Sequence, residues 1–229
     1  MDPYVAAVLR TILQHAPCTK LCVKQHSGLA MSTVLRGVEQ LQREGWIEVH
    51  THVVAGGGKP HASLTVGPRC VWGAVRDAKG WTLCRLPLAG ASTLTHVDEL
   101  PHTATPLVVG DAGIPYGQGV ACYMRRTGGG AYVDADLTLY MTGHGACALG
   151  DLPSPLLRTR RLTYAEAFAC ADDIQKNRLR AELTQWIDTL WGAERVLWAA
   201  DCALHPAEAL AWVAADRLLW PTCDTVPRC

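Results

Sequence analysis

The 229-residue sequence is poor in the features that would assign it to a functional class at once. Charged residues make up 18% of the chain, the formal net charge is zero, and there is a single Phe. No apolar run reaches the roughly 18 residues that a membrane-spanning helix needs. The N-terminus, Met1–Tyr4, lacks the basic and apolar regions of a secretory signal. We therefore expect a cytoplasmic protein with no membrane partner.

The ten cysteines contain no Cys-x-x-Cys pair, so the paired knuckles of a structural zinc site are missing. Two hypotheses remain for them. The first is a set of reduced, mostly buried thiols, with no metal and no other cofactor. The second is a thiol or metal sensor formed by Cys202, His205, Cys223 and Cys229.

Apolar residues recur at helical spacing through the first 44 positions, and two β-like runs follow. The predicted elements are a helix over Pro3–Gln14, a helix capped by Thr19, a helix over Met31–Glu44, and strands over Trp46–Val54 and His61–Val66. Gly28 supplies the tight turn before the third helix. Gly56–Pro60 forms a glycine-rich, basic tip between the strands. This order of elements is typical of a winged helix-turn-helix.

The candidate DNA contacts lie on the third helix, the second helix and the hairpin. They are Lys20, Ser32, Thr33, Arg36, Lys59 and His61. Ser32, Thr33 and Arg36 point away from the apolar stripe, near the helix end that enters a major groove. Lys59 supplies a cation for phosphate or the minor groove. The alternative is a small helical domain whose hairpin only closes its core.

Short stretches along the whole chain follow the order of one known family. In the N-terminal third they are Ser27-Gly28-Leu29, Ser32-Thr33-Val34, Val38-Glu39-Gln40-Leu41, Glu44-Gly45 and Gly56-Gly57-Gly58-Lys59-Pro60. Further along they are a hairpin over Val71–Val75 and Trp81–Leu86, the segment Val108–Gly113, a strand over Leu137–Met141 with a glycine-rich turn at Thr142–Cys147, a long helix over Leu183–Val196 with a strand over Leu197–Ala200, and a helix over Pro206–Leu219. With these stretches the chain resembles the ROK (repressor, open reading frame, kinase) transcriptional regulators, in a shortened form.

The resemblance implies an α/β fold, α+β overall. Residues 1–67 would be a winged helix-turn-helix, and residues 68–229 a reduced actin-like, sugar-kinase-like mixed-sheet domain. It implies a homodimeric regulator, a repressor, that binds double-stranded DNA in the bacterial cytosol or nucleoid. Trp186, Trp191, Trp198, Trp212 and Trp220 would serve a core or a dimer interface.

The resemblance also implies a site for a sugar-like effector at Asp111, Gly143, His144 and Gly145. The alternatives are that Asp111 caps a turn after a buried strand and that His144 faces water. Two basic runs, Arg125-Arg126 and the group Arg158, Arg160 and Arg161, are predicted to lie in solvated loops. The alternative is that they make extra contacts with DNA or with a second subunit.

We expect no catalytic residues and no enzymatic activity. The first hairpin, Gly73–Asp77, lacks the Asp-x-Gly arrangement that would position Mg²⁺ and phosphate in a kinase of this fold. Ala199-Ala200 carries side chains where a nucleotide would require glycine. Two other functions remain open, a protein-interaction module and a residual sugar kinase or hydrolase.

Overall fold

The computed structural model describes residues 1–52, 61–77, 80–110, 116–127, 130–141, 145–152, 162–193 and 195–221. In this part of the chain no helix is long and apolar enough to cross a membrane. The fold is mixed α/β, with helices and both parallel and antiparallel strand pairs, as the sequence predicted.

Three helices and a two-stranded hairpin form the first unit of the chain, which we call the N-terminal unit. Its elements are α1 (Pro3–His15), α2 (Lys20–Ser27), α3 (Met31–Arg43), β1 (Ile47–His52) and β2 (His61–Val66). The strands pair antiparallel, from Ile47 opposite Val66 to His52 opposite His61. The predicted order of elements is confirmed. Positions 53–60, which contain the predicted tip, lie outside the described residues.

Local sequence signals explain where these helices begin. Asp2 caps α1 by accepting a hydrogen bond from the Tyr4 amide at 2.8 Å, and Thr19 caps α2 through the Cys22 amide at 3.2 Å. Gly28 ends α2 in the left-handed region, at φ 70°. Ala30 precedes α3 without any side-chain cap, so α3 depends on the burial of its inner face.

The remaining elements form two four-stranded sheets with helices between and around them. The strands are β3 (Cys70–Asp77), β4 (Gly80–Pro87), β5 (Thr93–Val97), β6 (Leu107–Gly110), β7 (Ala131–Val133), β8 (Thr138–Met141), β9 (Gly145–Ala148) and β10 (Val196–Trp198). The helices are α4 (Tyr116–Arg126), α5 (Tyr164–Cys170), α6 (Asp173–Trp191) and α7 (Pro206–Leu219). One sheet has the order β5-β4-β3-β6, and the other has the order β10-β7-β8-β9.

Helix α7 lies against β3, β4, β6 and α4, while α4 also contacts β7 and β8. Small residues permit this close packing. A Cβ on Gly73 would overlap the backbone of Ala207 and Ala211, and one on Gly119 would lie 2.5 Å from the Ala209 carbonyl oxygen. Gly73 therefore serves the contact between the first hairpin and α7.

The largest hydrophobic core is shared between the N-terminal unit and the α7 side of the first sheet. Arg10 of α1 donates a hydrogen bond to the Leu219 carbonyl. Its guanidinium lies 5.5 Å from the ring centre of Trp220, and Arg125 stacks on the same ring at 3.7 Å. These contacts attach α1 to the end of α7.

Several sequence predictions were wrong in extent. The long helix predicted from Leu183 is α6, which begins at Asp173 because Asp172 and Gln175 form a capping box. It ends at Gly192, whose φ is 63°. The strand after it ends at Trp198, and Ala199–Asp201 forms a 3₁₀ turn. Residues 145–147, predicted in a glycine-rich turn, instead pair with β8 as part of β9.

Two predictions about side chains were also wrong. Arg125 and Arg126 are the last residues of α4 rather than a solvated loop. Arg125 pairs with Asp216 at 3.3 Å, and Arg126 donates to the Leu88 carbonyl. Of the eight cysteines that the structure describes, four are buried, two are intermediate and two are exposed, so the thiols are less uniformly buried than expected.

Candidate nucleic-acid interface

Helix α3 has one face in the core and one face in solvent. Val34, Gly37, Val38 and Leu41 are buried on the inner face. The exposed row on the other side consists of Ser32, Arg36, Glu39 and Arg43. These positions follow helical spacing, so their side chains form a continuous strip along the helix. Thr33 is half-buried at the edge of that strip.

The chemistry of this strip is mixed. Arg36 presents a guanidinium that can bind the two acceptors of guanine, and Ser32 presents a hydroxyl. Glu39 lies about one turn further along the helix, where a carboxylate can accept from a cytosine amino group but repels phosphate. A strip with both charges is better suited to reading base edges than to holding the DNA backbone alone.

Helix α2 leads into α3 through the Gly28 turn. Lys20 is its first residue and is half-buried, while Lys24 and Gln25 are exposed. Leu21, the next residue of α2, is 53% exposed. The predicted cation at the start of α2 is therefore present, but only part of its side chain reaches solvent.

One contact that the sequence analysis missed fixes the hairpin relative to α3. The guanidinium of Arg69 lies 4.7 Å from the Trp46 ring centre, and its Nη1 donates to the Glu44 carbonyl at 2.7 Å. The Trp46 amide donates to the Leu41 carbonyl. A cation at the end of a helix also interacts favourably with the helix dipole.

The structure thus describes Lys20, Ser32, Thr33 and Arg36 of the predicted contacts, and it brings Ser32 and Arg36 into one exposed row. His61 begins β2 opposite His52, and nothing is described of its side chain. Lys59 lies outside the described residues.

A separate candidate site is a cavity in the later part of the chain, between the β7–β8 turn, α5, α6 and the end of β10. It has a volume of about 790 Å³. Lys176 and Arg180 enter it from α6, Phe168 from α5, and Trp198 from β10. The Arg180 guanidinium lies 5.7 Å from the Trp198 ring centre. Its Nε is buried and has no hydrogen-bond partner in the described structure.

The floor of this cavity is a tight turn. Asp134 accepts from the amides of Asp136 and Thr138 and from the Tyr140 hydroxyl. Leu137 in the same turn has φ 58°, a left-handed conformation that is uncommon for a residue with a side chain. The acceptor capacity of Asp134 is therefore largely used within the protein, whereas the two cations of α6 remain available to a ligand.

The predicted effector residues and this cavity do not coincide. Asp111, Gly143 and His144 lie outside the described residues. Gly145 pairs with Met141 at the start of β9 and is not among the residues described as lining the cavity. The sequence shows that Lys176 and Arg180 are one helical turn apart, but only the folded chain brings them together with Phe168 and Trp198.

Comparison with known proteins found similarity among solved structures alone. No protein-family model matches the chain, and no curated protein sequence matches it. Among solved structures, the chain is similar to a ROK family transcriptional regulator described as a homolog of the E. coli MLC protein. The two are 12% identical, the TM-score is 0.49, and the match covers 97% of this chain and 86% of the other.

Proposed function

We propose that the chain is a sequence-specific, double-stranded-DNA-binding transcriptional regulator whose N-terminal unit is a winged helix-turn-helix. The observation that carries this proposal is the exposed row of α3, with Ser32 and Arg36 opposite a fully buried face. A helix held in this way can enter the major groove without loss of its core contacts. One bidentate Arg–guanine contact contributes about 1–3 kcal/mol of discrimination against a wrong base.

In this proposal the contacts divide into two kinds. Arg36 and Ser32 read bases, while Lys20 and Lys59 bind phosphate and contribute about equally on every sequence. Arg69 acts through the protein, because it holds the hairpin against the end of α3. The regulator acts as a homodimeric repressor, which presents two copies of α3 to half-sites about 34 Å apart.

The test begins with selection of preferred duplexes from a random pool by the full-length chain. Fluorescence anisotropy then compares the wild type with Arg36→Ala on the selected duplex and on a scrambled one. We expect Arg36→Ala to lower affinity for the selected duplex about 10-fold or more, following the free energy of a bidentate contact. Affinity for the scrambled duplex should change little.

Arg43→Ala is the matched control, because Arg43 is exposed on the same row at the other end of α3. It removes the same charge without removing the predicted base contact. Equal losses of duplex affinity in both variants would show that α3 attracts DNA only through its positive charge and does not read bases. Failure of the wild type to retain any duplex at low salt would favour a protein-interaction module instead.

A ligand-binding role for the cavity between α5, α6 and β10 is favoured by a separate observation. Buried polar groups are normally hydrogen-bonded, yet Arg180 Nε has no partner in the described structure. We propose that an anionic effector binds there, with its charge at Lys176 and Arg180 and its apolar part against Phe168 and Trp198.

A further inference from the structure

Two thiols and two imidazoles meet where α1 joins α2. His15 is the last residue of α1, Cys18 lies in the connection, and Cys22 and His26 are one turn apart on α2. The His15 and His26 rings lie 4.0 Å apart between centres. The Cys22 sulfur lies 3.5 Å from His26 Nδ1. This corner directly precedes α3.

The two cysteines have different surroundings. Cys22 is half-exposed, and its sulfur lies beside the His26 imidazole, whose Nδ1 donates a hydrogen bond to the Cys22 carbonyl at 2.9 Å. Cys18 is 6% exposed and is held by backbone hydrogen bonds of 3.1 and 2.7 Å with Leu64 of β2. Burial, and then the neighbouring Cys22 thiol, raise the pKa of Cys18 to about 11. An accessible thiol next to a protected one is the arrangement of a redox-sensing cysteine pair.

We propose that Cys18 and Cys22 are an oxidation-sensitive pair that closes to an intramolecular disulfide when the chain meets a peroxide. The Cys22 sulfur attacks one peroxide oxygen, the O–O bond breaks, and the thiol proton passes to the departing oxygen, so that a sulfenic acid forms and water leaves. The Cys18 sulfur then attacks the Cys22 sulfur and a second water leaves. In total, two thiols and one hydrogen peroxide give one disulfide and two waters.

A metal site at this corner is the competing assignment for two thiols and two imidazoles. Among the residues that the structure describes, no three His, Cys, Asp or Glu side chains are arranged to hold a metal ion. The geometry therefore favours a pair of thiols that react with each other.

The disulfide would join the α1–α2 connection to the first turn of α2, just before α3 in the chain. Cys18 is paired with β2 through Leu64, and the Cys22 amide holds the Thr19 cap of α2. Closing the bond draws the Cys18 side chain away from the core that it shares with Leu64. Resting on the proposed function, we expect the oxidised chain to bind its selected duplex more weakly than the reduced chain.

The test treats the reduced, full-length protein with hydrogen peroxide, blocks free thiols with iodoacetamide, and maps the peptides by mass spectrometry. We expect a Cys18–Cys22 linked peptide that loses two hydrogens and that a reductant reverses. Cys22→Ser should abolish the link and leave Cys18 unmodified by peroxide. Cys170→Ser is the control, because Cys170 is exposed and lies far from this corner in the sequence; it should keep the link.

Oxidation of Cys22 to a sulfinic acid without a link to Cys18 would overturn the proposal, as would a link to another cysteine. The linked peptide is detected whether or not the chain binds DNA. The peptide map can therefore refute the disulfide while the proposed function stands, and the DNA-binding assay can refute the function while the disulfide stands. Equal duplex affinity of the two redox forms would refute the coupling to DNA.

Discussion

Replacement of Gly73 by Ala tests whether the first hairpin is built for helix packing or for a ligand. Gly73 lies in β3 directly beneath α7. A Cβ there would overlap the Ala207 carbonyl oxygen and the Ala211 amide nitrogen, whereas real Cβ contacts stay beyond about 3.0 Å. Both obstacles are backbone atoms of a buried helix, so no side chain can rotate away to relieve the clash. Helix α7 itself would have to move.

The free-energy cost of moving α7 depends on the apolar surface that this helix buries. Ala207, Leu210 and Ala211 all lie in the main core, so an outward shift loosens the sheet contact along the helix. Overpacking of a core typically costs about 1–3 kcal/mol. Ala recovers roughly 0.5–1 kcal/mol relative to Gly inside a strand. The net loss of unfolding free energy therefore lies between about 0 and 2.5 kcal/mol, and the overlap of the added Cβ with a backbone oxygen places Gly73→Ala toward the upper end of that range.

Urea unfolding followed by tryptophan fluorescence and by circular dichroism would measure this loss. Gly150→Ala is the matched control, because its added Cβ would first meet Ala165 Cβ at 3.3 Å and has no positive φ to strain. We expect that variant to stay within about 0.5 kcal/mol of the wild type. If Gly73→Ala were as stable as the wild type, α7 would not depend on this close contact and the packing argument would be refuted.

Three further outcomes are expected. Ala30→Ser should raise the unfolding free energy by about 1 kcal/mol, because Ala30 has extended N-cap geometry and no side-chain cap; an unchanged urea midpoint would contradict this. Burial raises the pKa of Asp216 above 3.8 despite the opposing charge of Arg125. The stability contributed by its protonated form is present below about pH 4 and is lost as the pH rises through the folded-state pKa. Asp216→Asn should remove that decline from urea midpoints measured between pH 4 and 7, and an unaltered pH profile would refute it. Finally, any phosphate- or carboxylate-bearing compound that raises the wild-type melting temperature should lose that effect in Arg180→Met and keep it in Arg178→Met; equal shifts in both variants would place the compound elsewhere.

The local elements were largely predictable because their signals are local. Thr19 as a cap, Gly28 as a left-handed turn and the helical spacing of Val34, Val38 and Leu41 depend on residues within one or two turns. The helix over Pro206–Leu219 was predicted with both ends correct. The capping box at Asp172 was present in the sequence too, but the prediction followed the apolar run from Leu183 and so began the helix ten residues too late.

The candidate sites also differ in how far the sequence alone could predict them. An exposed face on α3 follows from periodicity, so Ser32 and Arg36 could be predicted as surface residues. The cavity could not be predicted, because Phe168, Arg180 and Trp198 come from three elements that only the folded chain brings together. The role of Arg69 could not be predicted either, because its stacking on Trp46 joins positions 23 residues apart.

By itself the sequence determined which segments become helices and strands, and which face of α3 stays in solvent. These choices depend on hydrogen bonds and apolar periodicity within a few residues. Only the tertiary structure decided that Gly73 makes room for α7, that Arg125 pairs with Asp216 between two helices, and that the thiols of Cys18 and Cys22 meet beside His26. Such contacts depend on the packing of elements that are distant in the chain or on the path of a connection, and these are fixed only when the chain buries its apolar surface as a whole.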